Sequence, residues 1–255
     1  LENFLYKVCG CKGLWTAGNF AADAIQSIKN QVGSGKVICA LSGGVDSSSV
    51  AVLARRAFHD AHLAVIMPIE SDPRDRQDAL LLGEKFGLQC REIDLSRVFE
   101  VFASTLDAGS ALGTQDLSLN NLKPRLRMTT LYYFAGRNRY LVVGTGNRAE
   151  LTLGYFTKYG DGGVDLLPLG HLVKHDVREL AAHLGVPQSI IDKPPTAGMW
   201  QGQTDESELG FSYDELDRYL VGGQGSEQLA SRVEELRRGN AHKLRIPKLP
   251  PAHDS

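Results

Sequence analysis

Ser42-Gly43-Gly44-Val45-Asp46-Ser47, with Ser48 behind it, combines three hydroxyls, two adjacent glycines and one carboxylate. Adjacent glycines let a backbone turn tightly and approach a ligand closely. A helix starting at this point would add free N–H groups and the positive end of its dipole. Ser42, Ser47 and Ser48 would add hydroxyl donors, so the chemistry is phosphate binding. No lysine sits in the loop, which is therefore poorly built to grip a γ-phosphate in the P-loop manner. Asp46 repels a phosphate unless Mg2+ bridges the two. The plain structural reading of Asp46 is a helix N-cap. Gly33-Ser34-Gly35-Lys36 looks like a fragment of a Walker loop. Val37 follows its lysine, however, and the segment precedes a strand, so it reads as a turn.

The elements that position this loop follow from periodicity. Apolar runs at Lys36–Leu41, His62–Ile69, Gln89–Ile93 and Tyr140–Gly144 read as strands. Helical spacing covers Asp46–Phe58, Gln77–Phe86 (closed by Gly87), Asn121–Arg137 and Lys174–Leu184 (ended by Gly185 and Pro187). Strands alternating with helices imply an α/β fold, a parallel sheet flanked by helices. Ligands of such sheets sit beyond the carboxyl ends of the strands, where Ser42-Gly43-Gly44 and Thr145-Gly146 fall. Gly154–Pro168 and Asp192–Leu209 read as long loops, which in a compact domain are functional or disordered. There is no internal repeat. A length of 255 residues suits one α/β domain, 1–255, with an N-terminal helical extension (1–34) and a C-terminal helix and tail (221–255).

Composition narrows the class. Net charge is -2, so no basic field points to nucleic acid, and no apolar run is long enough to span a bilayer. Cys9, Cys11, Cys39 and Cys90 lack the second short-spaced pair that a zinc site would want, so they read as reduced thiols of a cytoplasmic protein.

The phosphate loop resembles that of the N-type ATP pyrophosphatases, which have an adenine nucleotide α-hydrolase-like fold. These enzymes cleave ATP between its α- and β-phosphates, adenylate an oxygen, and let a nitrogen nucleophile displace AMP. Gly144–Glu150 (GTGNRAE), Gly154–Asp165 (GYFTKYGDGGVD), Leu167–Gly170, Lys193–Gly210 and Tyr213–Leu220 resemble ammonia-dependent NAD synthetase, as do Met67–Ala79 and Asn121–Met128. That family converts deamido-NAD, ATP and ammonia to NAD, AMP and pyrophosphate. The resemblance implies ATP contacts at Ser42, Gly43, Gly44, Asp46, Ser47, Ser48, Thr145, Lys174 and Thr196. It implies Mg2+ carboxylates at Asp46 and Glu150. It implies deamido-NAD contacts at Arg125, Lys158, Asp165, His242 and Lys243, the last two reaching from the other subunit of a homodimer. Lys174 would offset charge as pyrophosphate leaves. Asp161 is a candidate to bind ammonium or accept its proton.

Plain alternatives stand beside these roles. Taken singly, Glu150 also reads as a solvated helix acid, Arg125 and Arg127 as an exposed face, Lys158 and Asp165 as a surface pair, and His242 as a tail residue, but the matching motifs favour the functional roles for all except His242. The segment 193–208, with Gly198 and Gly202 as flexible points and Trp200 as cover, suits a lid. Residues 1–60 resemble instead the start of the GMP synthetase ATP pyrophosphatase domain. Amination of xanthosine monophosphate is therefore the alternative activity, and a non-catalytic nucleotide sensor is a third reading. The sequence holds neither a nitrilase-like nor a class I amidotransferase domain. Free ammonia is the expected donor unless a partner glutaminase or a further N-terminal domain supplies it.

Overall fold

The computed structural model describes residues 16–106, 116–196, 198, 200 and 202–246. Cys9 and Cys11, and most of the segment that resembles GMP synthetase up to residue 16, lie outside them.

Helix α1 (Ala17–Val32) starts on Thr16, whose side chain accepts the Asn19 N–H, and ends on Gly33. The Gly33–Lys36 segment is the expected turn, leading into β1 (Lys36–Ala40). Then come α2 (Val45–Phe58), β2 (His62–Ile66), α3 (Pro73–Phe86), β3 (Cys90–Glu92) and α4 (Ser96–Thr105). After these come α5 (Leu117–Asn120), α6 (Leu122–Asn138), β4 (Tyr140–Val143) and α7 (Arg148–Leu153). The remaining helices are α8 (Lys174–Leu184), α9 (Gln188–Ile191), α10 (Asp205–Leu209), α11 (Tyr213–Gly222) and α12 (Glu227–Asn240), before a 3-10 turn at Ala241–Lys243.

Among the described residues four strands form one parallel sheet in the order β3-β2-β1-β4. Alternation along β1 buries both faces, as parallel sheets require. Val37 and Cys39 point into one layer with α1, α2 and α8, while Ile38 points into the other with Leu131, Phe134 and Ala135 of α6. A third cluster packs Ala149 and Leu153 of α7 against Leu209, Tyr213, Leu216, Leu229 and Val233 of α10–α12. Cys39 is buried, which pushes its thiol up to about 12, and Cys90 is exposed at the start of β3.

Three departures from the sequence expectation exceed a one-residue shift and have a local physical reason. β2 stops at Ile66 rather than Ile69. Pro68 brings no N–H to a ladder, and Glu70 takes φ 50, so the chain leaves the sheet there. α3 begins at Pro73, four residues before the expected Gln77, because Asp72 caps it through the Arg74 N–H and Pro73 suits a first helical position. The segment expected to be loop up to Leu209 ends in a helical turn, α10, capped by Thr204.

Candidate functional site

A cleft opens at the carboxyl ends of the strands. Ser42, Gly44, Asp46 and Ser47 border it from the β1–α2 loop, and Thr145 and Glu150 from the segment after β4. Lys174 enters from α8, and Asp161 and Thr196 from the two long connections.

The loop is built to receive an anion. Gly44 is the N-cap of α2 and brings no side chain to bond the first-turn N–H groups. Those donors therefore stay available to a ligand at the positive end of the helix dipole. Gly43 has φ 82, and a Cβ there would lie 2.2 Å from the Asp75 carbonyl oxygen of α3. Only glycine fits that approach. Ser47 holds the turn together: its Oγ accepts the Ser42 N–H at 3.2 Å and donates to the Gly44 carbonyl at 3.1 Å. Ser48 is 0 % exposed, and its hydroxyl has no partner among the described residues. Its side chain is not part of the cleft wall, in contrast to the other two serines.

Asp46 is not the N-cap that its plain reading suggested, because Gly44 takes that place. Its carboxylate crosses the cleft floor instead. It accepts the Lys174 ammonium at 2.5 Å and the Asn147 amide at 3.0 Å. Asn147 caps α7 reciprocally with Glu150 and also donates to the Glu150 carboxylate at 2.9 Å. Glu150 is therefore no free surface acid. Burial, and then the charge of Asp46, push its carboxyl up to about 8, against the pull of Lys174. Two carboxylates pressed together in this way are suited to a shared cation. Among the described residues no set of three or more His, Cys, Asp or Glu side chains forms a metal cage. That donor set fits Mg2+, which takes one or two carboxylates and completes its shell with phosphate oxygens and water.

Lys174 is 2 % exposed, and Asp46, Glu150 and Asp205 raise its pKa although burial opposes this. It lies 5.1 Å from the centre of the Tyr213 ring. It sits at the start of α8, whose N-cap, Val173, has no side-chain bond to offer. Asp217 of α11 supplies the missing cap, accepting the Lys174 N–H at 3.2 Å and the His175 N–H at 2.8 Å. Asp205, 5 % exposed, closes the cleft floor and accepts the Tyr213 hydroxyl at 3.0 Å.

Asp161 accepts the Thr157 N–H at 2.8 Å on the far wall, and burial raises its carboxyl. The remaining expected substrate residues are not on the cleft wall. Lys158 donates to the His242 carbonyl at 2.8 Å, and Arg125 lies 3.4 Å from the Lys158 carbonyl. Lys243 donates to the carbonyls of Gly154 and Phe156 at 2.7 and 2.8 Å. Arg125, Lys158, His242 and Lys243 thus collect around residues 154–160. Asp165 stands apart on the sheet edge, accepting the Val142 N–H at 2.7 Å and the Tyr132 hydroxyl at 3.1 Å. It does not pair with Lys158.

The sequence reading offered Arg127 only an exposed face, and the structure corrects that. Its guanidinium lines the cleft, donating to the Met67 carbonyl at 3.0 Å, and burial lowers its pKa to about 10. A signal was available: Leu131, Phe134 and Ala135 follow at four, seven and eight residues, so Arg127 shares the buried face of α6 and Arg125 does not. Asn147 had one too, as an Asn with Glu three residues later is a capping pattern.

The NAD synthase family model matches residues 19–247. The NH(3)-dependent NAD(+) synthetase of Carboxydothermus hydrogenoformans is 49% identical over 214 residues, 84% of this chain and 88% of that protein. The one from Syntrophomonas wolfei is 45% identical over 87% of this chain and 90% of its own. Among solved structures, an NMN synthetase from Francisella tularensis superposes with a TM-score of 0.86 at 34% identity, covering 92% of this chain and 99% of that one. The NH3-dependent NAD synthetase of Campylobacter jejuni gives 0.75 at 27%, covering 93% and 100%. The adenine nucleotide α-hydrolase-like arrangement is thus common to the sheet seen here and to these structures. The match runs from residue 19, ahead of the phosphate loop, to residue 247, and the chain belongs to the NAD synthase family.

Proposed function

We propose that the protein is an ammonia-dependent NAD synthetase, a ligase that forms a C–N bond. ATP adenylates the nicotinate carboxylate of deamido-NAD, ammonia displaces AMP, and pyrophosphate is the other product. The observation that carries this reading is the Asp46–Lys174–Glu150 group set beside an uncapped helix N-terminus on one cleft floor.

The chain's own residues divide the work. The Ser42–Ser47 loop holds the β- and γ-phosphates that leave together. Lys174 neutralises charge that builds on them as the α–β bond breaks. Asp46 and Glu150 would hold Mg2+, which when bound supplies the positive charge that lets a carboxylate and a triphosphate approach. Thr145 and Thr196 contact ATP from the two rims. Asp161 receives ammonium or its proton. Arg125, Lys158, Asp165, His242 and Lys243 bind the dinucleotide, with His242 and Lys243 serving the partner subunit of a homodimer. Exposed Val98, Val101 and Phe102 on α4, with Leu106 at its C-cap, support a protein-covered surface, to be tested by the solution mass. No helix among the described residues is long and apolar enough to cross a membrane. The free thiols Cys39 and Cys90 support a cytoplasmic setting.

The test supplies ATP, Mg2+ and ammonium with deamido-NAD, nicotinate mononucleotide or xanthosine monophosphate, and follows the products by chromatography. NAD with equimolar AMP supports the proposal. The mononucleotide arm answers the similarity to an NMN synthetase. GMP in the third arm, or no turnover in any, would refute the proposal. Glutamine in place of ammonium, with and without a cell extract, tests for a glutaminase partner.

A further inference from the structure

Lys193 stands at the foot of the segment 193–204. Its ammonium lies 2.9 Å from Asp75 Oδ1 and 2.5 Å from Asp78 Oδ2, both on α3. A third bond, 3.1 Å long, reaches the Gly43 carbonyl oxygen in the phosphate loop.

That third bond acts on a peptide. In a trans peptide the C=O and the following N–H point in opposite directions. Holding the Gly43 oxygen toward Lys193 and α3 turns the Gly44 N–H the other way, toward Ser42 Oγ at 3.4 Å. Ser42 and Gly44 both line the cleft. Rotating this peptide changes only ψ of Gly43 and φ of Gly44. Both residues are glycine, so side-chain sterics resist the rotation little. The pair that lets the loop wrap a phosphate also leaves its central peptide free to flip, and a flipped peptide would aim an oxygen at the anion. The N–H contact in hand, at 3.4 Å to Ser42, is too long to hold the orientation. The charge-assisted bond from Lys193 is the stronger restraint.

We propose that Lys193 is a positioning residue. It fixes the Gly43–Gly44 peptide with the Gly44 N–H facing the departing pyrophosphate, and it ties that orientation to the foot of segment 193–204. The inference rests on the reading of Ser42–Ser47 as the pyrophosphate-holding loop. A merely structural Lys193 would only neutralise Asp75 and Asp78, and its loss would weaken every ligand alike.

Product inhibition of the whole enzyme separates these cases. Pyrophosphate is tested as an inhibitor against ATP, and AMP is tested in parallel. In Lys193→Met the inhibition constant of pyrophosphate should rise about tenfold, the worth of one hydrogen bond to a charged group. The AMP constant and the KM for deamido-NAD should stay within about twofold of wild type. Lys193→Arg should recover most of the pyrophosphate affinity, because a guanidinium can also span two carboxylates and a carbonyl. Asp78→Asn keeps the lysine but loosens it, giving an intermediate rise, and serves if Lys193→Met does not fold. If pyrophosphate fails to compete with ATP in the wild type, the loop reading is wrong and the proposal goes with it. If it competes there and Lys193→Met binds it equally well, or loses AMP and pyrophosphate affinity in proportion, the loop reading stands and the role of Lys193 is refuted.

Discussion

Replacing Lys174 by Met keeps most of the apolar stem while deleting the ammonium and with it the contact over the Tyr213 ring. Two effects follow, and their sizes can be worked out separately. The catalytic one comes from losing the cation that meets charge on the leaving pyrophosphate. Removing one such preorganised group costs about 10²–10³ in kcat, or ~3–4 kcal/mol. The stability effect comes from Asp46, which loses its 2.5 Å partner while 18 % exposed at the side chain, with Glu150 close by. Breaking a buried pair costs ~3–5 kcal/mol, and the partial exposure of Asp46 argues for the lower end. For a chain of this size ~3 kcal/mol is roughly a 10 °C fall in melting temperature. NAD formation at saturating ATP reads the first effect and thermal denaturation the second. Millimolar Mg2+ should recover part of the stability, since a cation at Asp46 and Glu150 replaces the missing charge, but little of the rate. A variant whose kcat stays within about tenfold of wild type would show that Lys174 does not act on the transition state. A melting temperature that Mg2+ leaves unmoved would show that Asp46 and Glu150 do not hold the ion.

Three further outcomes are expected. Arg127→Met should lower kcat/KM by about 10–100-fold, because a half-buried guanidinium with spare donors in the cleft is worth a hydrogen bond or more to a charged group; an unchanged value in steady-state assays would remove it from the site. Gly43→Ala should lose activity and at least ~1–2 kcal/mol of stability, since the residue sits at φ 82 with the Asp75 carbonyl against its missing Cβ; urea unfolding that matches wild type would contradict the loop geometry. His62 is 1 % exposed, donates to the His59 carbonyl and accepts the Gln89 N–H at 3.2 Å, an arrangement only the neutral ring allows. Burial lowers its pKa below 6.5 against the pull of the His59 carbonyl, with Arg55 adding to the shift and Asp60 opposing it. The unfolded chain therefore takes up the proton first, and stability should be full above pH 6.5 and fall as pH drops below it. Melting curves from pH 5 to 8 should show that slope in the wild type and less of it in His62→Gln, and an identical slope in both would exclude His62 as its source.

The central strands were legible because a parallel strand buried on both faces is a run of apolar residues, as Lys36–Leu41 is. Strand β3 was legible only as a position: its three residues are all exposed, so the pattern there carries little of the signal that fixes β1. Helix α4 was missed because Ser96 follows Asp94 in what reads as a polar turn, and its buried face is reduced to Phe99. At the site, residue types in Ser42–Ser47 and Gly144–Glu150 named the chemistry. What no pattern along the chain could give is which partners meet. Asp46 and Lys174 are 128 residues apart and Lys193 and Gly43 are 150 apart, and such pairs come into contact only through the order of the strands. Arg127 escaped for a different reason: two arginines two residues apart on a helix point in nearly opposite directions, and composition alone does not say which faces inward.

Asp217 gives the C-terminal helices a hold over the chemistry that their distance in sequence from the phosphate loop conceals. Lys174 starts a helix whose first N–H groups are satisfied from α11, and α11 packs with α10 and α12 in a cluster separate from the two that bury the sheet. Clusters of this kind open as cooperative units with their own free energies. If α10–α12 are the weaker unit, the lysine loses its anchor while the sheet and its nucleotide loop stay folded. Activity would then fade at a lower temperature or denaturant concentration than the one that melts β1, with amide exchange in α11 rising in step with the loss. Turnover in this protein would report on the integrity of its last third, and a substitution far from any ligand, in the α11–α12 packing, could silence the enzyme without unfolding it.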